Sequence, residues 1–178
     1  MGMISKKICL VGDFGVGKTS LIRRFVERQF SDQYLSTVGV KISRKTLELM
    51  GEKPDQKLNL RLMIWDLEGH TKFKGISKNH LQGASGALVV ADLTRPETIE
   101  NIPEHINLFL SINPKGIIIV ALNKADLFTQ EKLQKARQIK EFESILATYQ
   151  TSAKNGLYVD EIFYQLACEM IKKNESSC

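Results

Sequence analysis

A glycine-rich stretch near the amino terminus has the residue types and spacing of a phosphate-binding loop. Gly12 to Thr19 reads GDFGVGKT, which matches GxxxxGK[ST] and lies between a short apolar run and a segment with helical periodicity. In such a loop, backbone N–H groups converge on phosphate oxygens, Lys18 neutralises the β and γ phosphates, and the Thr19 hydroxyl ligates Mg²⁺. A glycine-rich turn without a ligand is the alternative, but it fits this context poorly. The stretch therefore predicts a P-loop.

A second motif indicates which nucleotide base the protein would bind. Asn123-Lys124-Ala125-Asp126 (NKAD) follows the apolar run IIIVAL. The carboxylate of Asp126 can accept hydrogen bonds from both the ring N–H and the exocyclic amino group of guanine, a pair that adenine cannot reciprocate. Four letters alone could be a surface turn. Behind a P-loop at this distance, they favour a guanine-nucleotide site.

The surrounding elements must bring these motifs to one edge of a sheet. Apolar or alternating runs predict strands at residues 7–11, 40–49, 58–66, 86–92, 116–123 and 146–149. Helical patterns mark residues 19–30, a segment that starts at an N-cap-like Asn101, a charged stretch at 131–142 and a last helix at 159–173. The second and third strands form an antiparallel hairpin. The alternation predicts an open, mostly parallel α/β sheet, with ligands at the carboxyl ends of its strands.

Composition narrows the class of protein. The chain has 178 residues, a net charge of +5 and 43% hydrophobic residues, as expected of one soluble globular domain. The basic residues are spread along the chain, which favours a solvated surface over a nucleic-acid site. Three scattered cysteines indicate neither a disulfide framework nor a zinc site. No run is long enough to span a bilayer, and we expect a cytoplasmic protein.

Further residues in register with both motifs connect the chain to a known family. They are Thr37, Asp66, Gly69, Ser152, Ala153 and Lys154, together with the local stretches STVGV and DLTRPETIENIP. With these features the chain resembles the Ras-like small GTPases and, within them, the Rab type. The likeness covers nearly all of residues 1–178, as a single domain with a core at 4–173 and a short tail at 174–178. It implies a P-loop NTPase fold with a six-stranded sheet and about five helices, with GTP or GDP and Mg²⁺ as ligands.

The resemblance also implies site residues. The metal ligands would be Thr19, Thr37 and Asp66, and the catalytic residues would be Lys18, Thr37 and His70. The nucleotide would be contacted by Phe14, Gly15, Val16, Gly17, Lys18, Thr19, Ser20, Phe30, Tyr34, Thr37, Gly69, Asn123, Lys124, Asp126, Ser152, Ala153 and Lys154.

A switch mechanism follows from the same resemblance. Thr37 would complete the Mg²⁺ shell, and the Gly69 N–H would contact the nucleotide, only while the γ-phosphate is present. Two segments would relax together after hydrolysis: switch I, from Ser36 to Ile42, and switch II, from His70 to Leu81. We expect these segments to contact effector and regulator proteins.

Some of these residues have simpler interpretations. Phe30 would stack on guanine but could be a core residue, and Tyr34 would cover the phosphates but could be a loop aromatic. Thr37 could be an ordinary edge threonine. The sequence offers His80 and His105 no neighbouring ligand-type partner, so we expect them at the surface or in helix packing. Cys9 and Cys168 lie on apolar stripes and are expected in the core.

Switch II departs from the family pattern. Where the family has Thr-Ala-Gly-Gln after the metal aspartate, this chain has Leu67-Glu68-Gly69-His70. The missing Gln would orient the attacking water. A neutral imidazole has one donor and one acceptor, so His70 could orient water by itself, do so only with a partner, or be inert. Glu68 is expected to turn away from the phosphates, which its charge would repel.

Two further departures affect regulation and membrane attachment. Phe14 occupies a P-loop position that the family fills with Gly or Ser, and its ring would obstruct an arginine finger from an activating protein. The carboxyl-terminal Cys178 is not in a CaaX ending, so membrane anchoring is not expected.

Two functions are consistent with these features. The first is a GTP/GDP switch that hydrolyses GTP slowly and resists arginine-finger activators. The second is a pseudo-GTPase, an interaction module that binds nucleotide with little or no turnover. A P-loop nucleotide kinase is disfavoured, because NKAD and Ser152-Ala153-Lys154 have no role in that chemistry.

Overall fold

The fold is an α/β sandwich built on one six-stranded sheet. The computed structural model describes residues 3–33, 36–51, 56–69, 78–128 and 144–175. In chain order the elements are β1 (Ile4–Val11), α1 (Lys18–Glu27), β2 (Val40–Met50), β3 (Lys57–Leu67), α2 (Lys78–Leu81), β4 (Gly86–Asp92), α3 (Pro96–Glu100), α4 (Ile102–Ile112), β5 (Ile117–Asn123), a 3₁₀ turn (Ala125–Leu127), β6 (Ile145–Gln150) and α5 (Val159–Glu175).

The strand order is β2-β3-β1-β4-β5-β6. All neighbouring pairs are parallel except β2 and β3, which pair antiparallel from Val40 opposite Leu67 to Met50 opposite Lys57. The carboxyl ends of β1, β3, β4 and β5 consequently lie at the same edge, where loops that follow them can share a ligand. The predicted fold class, a mostly parallel sheet with one antiparallel edge strand, is confirmed.

Two apolar clusters cover the two faces of the sheet. On one face α1 and α5 pack together, with the rings of Phe25 and Phe163 stacked at 4.1 Å between centroids. On the other face Ile106 and Phe109 of α4 are buried against β4 and β5. The strands β4 and β5 are apolar almost throughout because helices cover both of their sides.

The segment around Asn101 differs from the expected single capped helix. Asn101 ends α3 and precedes α4, has helical backbone angles (φ −82°, ψ −8°) and makes no side-chain cap. Its amide instead donates to Asp13 in the P-loop at 2.7 Å. Asn101 thus occupies the predicted N-cap position of α4 with a proline in the first turn, but its side chain bonds to a tertiary partner and not to the helix backbone. The predicted helix at 131–142 lies outside the described residues.

The cysteines are placed as the sequence indicates. Cys9 is fully buried, and burial raises the pKa of its thiol to about 12. Cys168 is half-buried against the α1–α5 cluster. Cys178 lies outside the described residues. Among the helices that are described, none is both long and apolar enough to cross a membrane.

Candidate functional site

Two glycines of the P-loop occupy positions that no other residue could take. Gly12 has φ 153°, and a Cβ there would lie 2.2 Å from the carbonyl oxygen of Val90. Gly17 has φ 101°, and its Cβ would lie 2.2 Å from the side-chain nitrogen of Asn123. The loop between β1 and α1 can therefore fold tightly against the ends of β4 and β5.

Lys18, the first residue of α1, is folded back over this loop. Its Nζ donates to the carbonyl oxygens of Gly12 at 2.9 Å and Asp13 at 2.8 Å, and the residue is only 6% exposed. Burial lowers the pKa of the Lys18 ammonium to about 8, against the opposing charges of Asp66 and Asp13. A cation held in this way gains from an anionic ligand, because phosphate oxygens would compensate its lost hydration.

Three oxygen-bearing side chains from separate elements meet beside Lys18. The hydroxyl of Thr19 donates to Asp66 Oδ2 at 2.5 Å and lies 2.7 Å from the hydroxyl of Thr37, which is 3.4 Å from the same carboxylate oxygen. Asp66 is 2% exposed, and its Oδ1 has no hydrogen-bond partner among the described residues. Burial raises the pKa of this carboxyl. Two hydroxyls and one partly unsatisfied carboxylate fit Mg²⁺, which takes few protein oxygens in addition to phosphates.

The NKAD motif ties the base side of the site to the P-loop. The side-chain nitrogen of Asn123, at the end of β5, donates to the carbonyl of Val16 at 3.0 Å. Lys124 follows with φ 64°, and its Nζ donates to the carbonyl of Gly15 at 2.9 Å while lying 2.6 Å from Asp92 Oδ2. Asn123 and Lys124 thus connect the NKAD turn to the P-loop through hydrogen bonds to P-loop carbonyls.

The loop after β6 completes this side. The Ser152 hydroxyl donates to Asp126 Oδ1 at 2.6 Å, and the Ala153 N–H donates to Asn123 Oδ1 at 3.2 Å. Asp126 itself is exposed, so its carboxylate remains accessible to a ligand while Ser152 holds it in place. The two loops are thus joined by the Ala153–Asn123 and Ser152–Asp126 hydrogen bonds, and together they present the Asp126 carboxylate to the cavity.

One cavity of about 310 Å³ joins the phosphate, metal and base groups. The predicted residues that line it are Phe14, Gly15, Gly17, Lys18, Thr19, Ser20, Phe30, Thr37, Gly69, Asn123, Lys124, Asp126, Ala153 and Lys154. Among the other predicted residues, Val16 and Ser152 are fully buried behind the cavity, where they support it. Tyr34 and His70 lie outside the described residues.

Phe14 and Glu68, two residues at which the sequence departs from the family pattern, both make hydrogen bonds to other parts of the chain. The Phe14 side chain lies at the cavity and is 42% exposed, while its carbonyl accepts from Arg95 Nη1 at 2.7 Å. The Glu68 carboxylate accepts from the backbone N–H of Gly39 at 2.9 Å, and the Glu68 N–H donates to the Gly39 carbonyl. Glu68 therefore connects the start of switch II to switch I. A Cβ on the next residue, Gly69, would come within 2.5 Å of Lys18 Nζ.

Other residues at the site were not identified from the sequence. The cavity is also lined by Arg23, Gln29, Ser31, Asp32, Gln33, Leu67 and Leu127. Arg24 of α1 donates through Nε to the Ala153 carbonyl at 3.0 Å and through Nη2 to the Lys154 carbonyl. No local pattern distinguishes Arg24 from its neighbour Arg23, since the partners lie more than a hundred positions away.

His105 also differs from expectation. It is 2% exposed, and its Nε2 lies 2.8 Å from Oδ1 of Asp13, which is 3% exposed. The surface alternative is therefore wrong for His105, and its packing partner is the P-loop. By contrast His80 is half-buried, with its ring 6.4 Å from that of Trp65.

Sequence comparisons agree with the geometry of the cavity. A model of the Ras family matches residues 7–172. Ras-related protein Rab-13 of Canis lupus familiaris is 35% identical over 170 residues, which are 94% of this chain and 81% of the relative. Ras-related protein Rab-19 of Mus musculus is 30% identical over 171 residues, 94% of this chain and 76% of the relative.

Proposed function

This chain belongs to the Ras family and is a small GTPase of the Rab type, and on that premise we propose that it is a GTP/GDP switch with slow GTP hydrolysis. The observation that carries the proposal is a cavity lined by Lys18, Thr19, Thr37 and Asp126. The buried Asp66 carboxylate lies beside it, bonded to both threonine hydroxyls. Residues suited to binding phosphate, Mg²⁺ and a guanine base thus lie at one site. This combination favours a guanine nucleotide with Mg²⁺ over other classes of ligand.

Each part of the cavity has a role in this function. Lys18 would exchange its hydrogen bonds to the loop carbonyls for bonds to the phosphates. Asp126 would accept hydrogen bonds from guanine, and Ser152 would hold the Asp126 carboxylate in position. Thr19, Thr37 and Asp66 would hold Mg²⁺, which when bound neutralises charge on the phosphate oxygens. Thr37 belongs to switch I, so contact with this set would fix switch I in one position.

The surface next to the site supports partner binding. Val38 and Ile42 in switch I are 84% and 46% exposed, which is unusual for large apolar side chains. The Glu68–Gly39 hydrogen bonds connect this segment to switch II. We therefore assign effector and regulator binding to the two switch segments, with exposed apolar residues at the centre of the interface.

The second candidate is a pseudo-GTPase that keeps its nucleotide without turning it over. The exposed Phe14 at the cavity is the observation that favours it, because the family resemblance implies that an activating arginine would enter beside this position. In this alternative the nucleotide would be structural, and the switch surface would bind partners constitutively.

Nucleotide analysis of the purified protein tests the proposal against its rival. Protein loaded with GTP and Mg²⁺ would be incubated, denatured and its nucleotide separated by chromatography over several days. Conversion to bound GDP is expected for a slow GTPase. GTP that persists unchanged for days would establish the pseudo-GTPase instead. Preferential retention of adenine nucleotide would overturn both.

A further inference from the structure

The P-loop carries a buried acid whose partners lie on the α3–α4 segment. Asp13 does not line the nucleotide cavity; its carboxylate points behind the loop and is 3% exposed. Oδ2 accepts from Asn101 Nδ2 at 2.7 Å, and Oδ1 lies 2.8 Å from His105 Nε2. Because a carboxylate only accepts hydrogen bonds, His105 carries its hydrogen on Nε2 when the ring is neutral.

This cluster is connected to the phosphate site through Lys18. The backbone carbonyl of Asp13 accepts a hydrogen bond from Lys18 Nζ at 2.8 Å. Asp13 therefore contacts Lys18 through its backbone and His105 through its side chain. The charged groups acting on His105 are Asp13 of the loop, Lys18 of α1 and Glu104 of its own helix. Burial, together with the Lys18 charge, lowers the pKa of His105, against the opposing effects of Asp13 and Glu104.

Phosphates arriving at Lys18 would change that charge balance. In the free site the Lys18 ammonium offsets the Asp13 carboxylate. Once phosphate oxygens neutralise Lys18, the Asp13 carboxylate loses the cation that offset it, and GDP stays net anionic even with Mg²⁺ bound. A cation behind the loop would restore the charge balance, and His105 is the group placed to become one.

We propose that His105 is a positioning residue of the nucleotide site, which holds Asp13 under the P-loop and takes up a proton when nucleotide phosphates bind. The proton comes from solvent and adds to Nδ1, since Nε2 already donates to Asp13. This inference rests on the proposed function only in requiring that the site binds GDP.

The sign of the pH dependence follows from the direction of the change. The pKa of His105 in the free protein lies below the usual value of 6.5. The proposal requires bound phosphate to raise this pKa. The added affinity is therefore greatest below the free pKa and is lost as the pH rises through the higher, bound pKa. Each unit of difference between the two values makes the nucleotide bind about tenfold more tightly at low pH.

Proton uptake can be counted by calorimetry. GDP with Mg²⁺ would be titrated into nucleotide-depleted protein at pH 6.5 in buffers of different ionisation heat, for wild type, His105→Gln and the control Ser111→Ala. Ser111 is an exposed position on the same helix that, among the described residues, bonds only to the Leu108 carbonyl. The Gln amide can still donate to Asp13 but does not titrate. We expect wild type and Ser111→Ala to take up the same fraction of a proton, and His105→Gln to take up clearly less. Equal uptake by all three proteins would overturn the proposal.

A second measurement needs no variant. The imidazole signals of His105 in wild-type protein can be titrated by NMR without nucleotide and with GDP·Mg²⁺. The inference requires a higher His105 pKa in the bound protein, and the same or a lower value refutes it even if His105→Gln fails to fold. Absence of any GDP binding heat would instead refute the proposed function itself.

Discussion

Phe14 lies at the cavity and is 42% exposed, and we propose that its ring obstructs the arginine finger of an activating protein. An arginine finger contributes about 10³- to 10⁵-fold to hydrolysis, whereas the water-orienting residue acts within the site itself. The two proposed effects can be separated by substitution, because Phe14 would affect access of an activating arginine and His70 would affect the orientation of the attacking water.

Replacing the ring should restore sensitivity to an activator. In single-turnover assays we expect slow GTP hydrolysis by wild type, with less than about tenfold stimulation by a Rab-directed activating protein that supplies an arginine finger. Phe14→Ser should be stimulated strongly, while the control Phe14→Tyr, which keeps a ring, should behave as wild type. His70→Gln should raise the intrinsic rate. Fast wild-type turnover that neither Phe14→Ser nor His70→Gln alters would contradict this account.

At the scale of elements, α1 contacts both the P-loop, which precedes it, and the loop after β6. Arg24 projects from the middle of the helix and donates to two successive carbonyls of the loop after β6. The same loop supplies the Ala153 N–H and supports Asp126 through Ser152. The helix that begins at the P-loop consequently also holds the loop after β6, and we expect this connection to couple affinity for phosphate to selectivity for guanine.

Removing the Arg24 hydrogen bonds should make the loop after β6 more mobile without unfolding the protein. Arg24→Ala is expected to speed GDP release by up to about thirtyfold, because two hydrogen bonds worth roughly 1 kcal/mol each are lost. The preference for GTP over ATP should fall as well. Asp160→Ala is the matched control, since it breaks the pair between Arg28, which follows α1, and Asp160 of α5, 2.6 Å apart, without touching the loop. Release rates measured with a fluorescent GDP analogue would show the difference; equal effects of both variants would assign Arg24 a purely structural role.

At the scale of the whole molecule, the ligand site is where the loops of the sheet meet. The P-loop, switch I, the end of β3, the NKAD turn and the loop after β6 all line one cavity, yet each comes from a different part of the chain. A bound nucleotide would replace contacts that these loops now make with one another, such as those of Lys18 with its own loop. Ligand binding and folding stability should therefore be strongly linked.

Stripping the nucleotide and Mg²⁺ with EDTA and phosphatase tests this linkage. A ligand present at 100 times its Kd adds about 2.7 kcal/mol of stability, which for a domain of this size is about 5 to 10 °C in Tm. We expect the stripped protein to melt lower by at least that amount, and GDP with Mg²⁺ to restore the Tm in a calorimetric scan. ATP with Mg²⁺ is the control and should not restore it. A Tm indifferent to GDP would argue against a nucleotide site in this cavity.

The sequence by itself determined the features that depend on neighbouring residues. GDFGVGKT, NKAD and the alternation of apolar runs with helical segments were enough to predict the P-loop, the guanine-type motif and a mostly parallel sheet with one antiparallel edge strand. Glycine positions and hydrophobic periodicity carry such information locally, because they constrain the backbone and its buried face directly.

Only the tertiary structure decided which distant side chains meet behind those motifs. Asn101 looked like a helix cap and His105 like a packing residue, yet both hold Asp13, about 90 positions earlier in the chain. Arg24 is indistinguishable by pattern from Arg23, yet it secures a loop about 130 positions later. The physical reason is that a buried polar group takes whichever partner the packing of helices on the sheet brings within hydrogen-bonding distance, and that packing is not encoded in any short stretch of sequence.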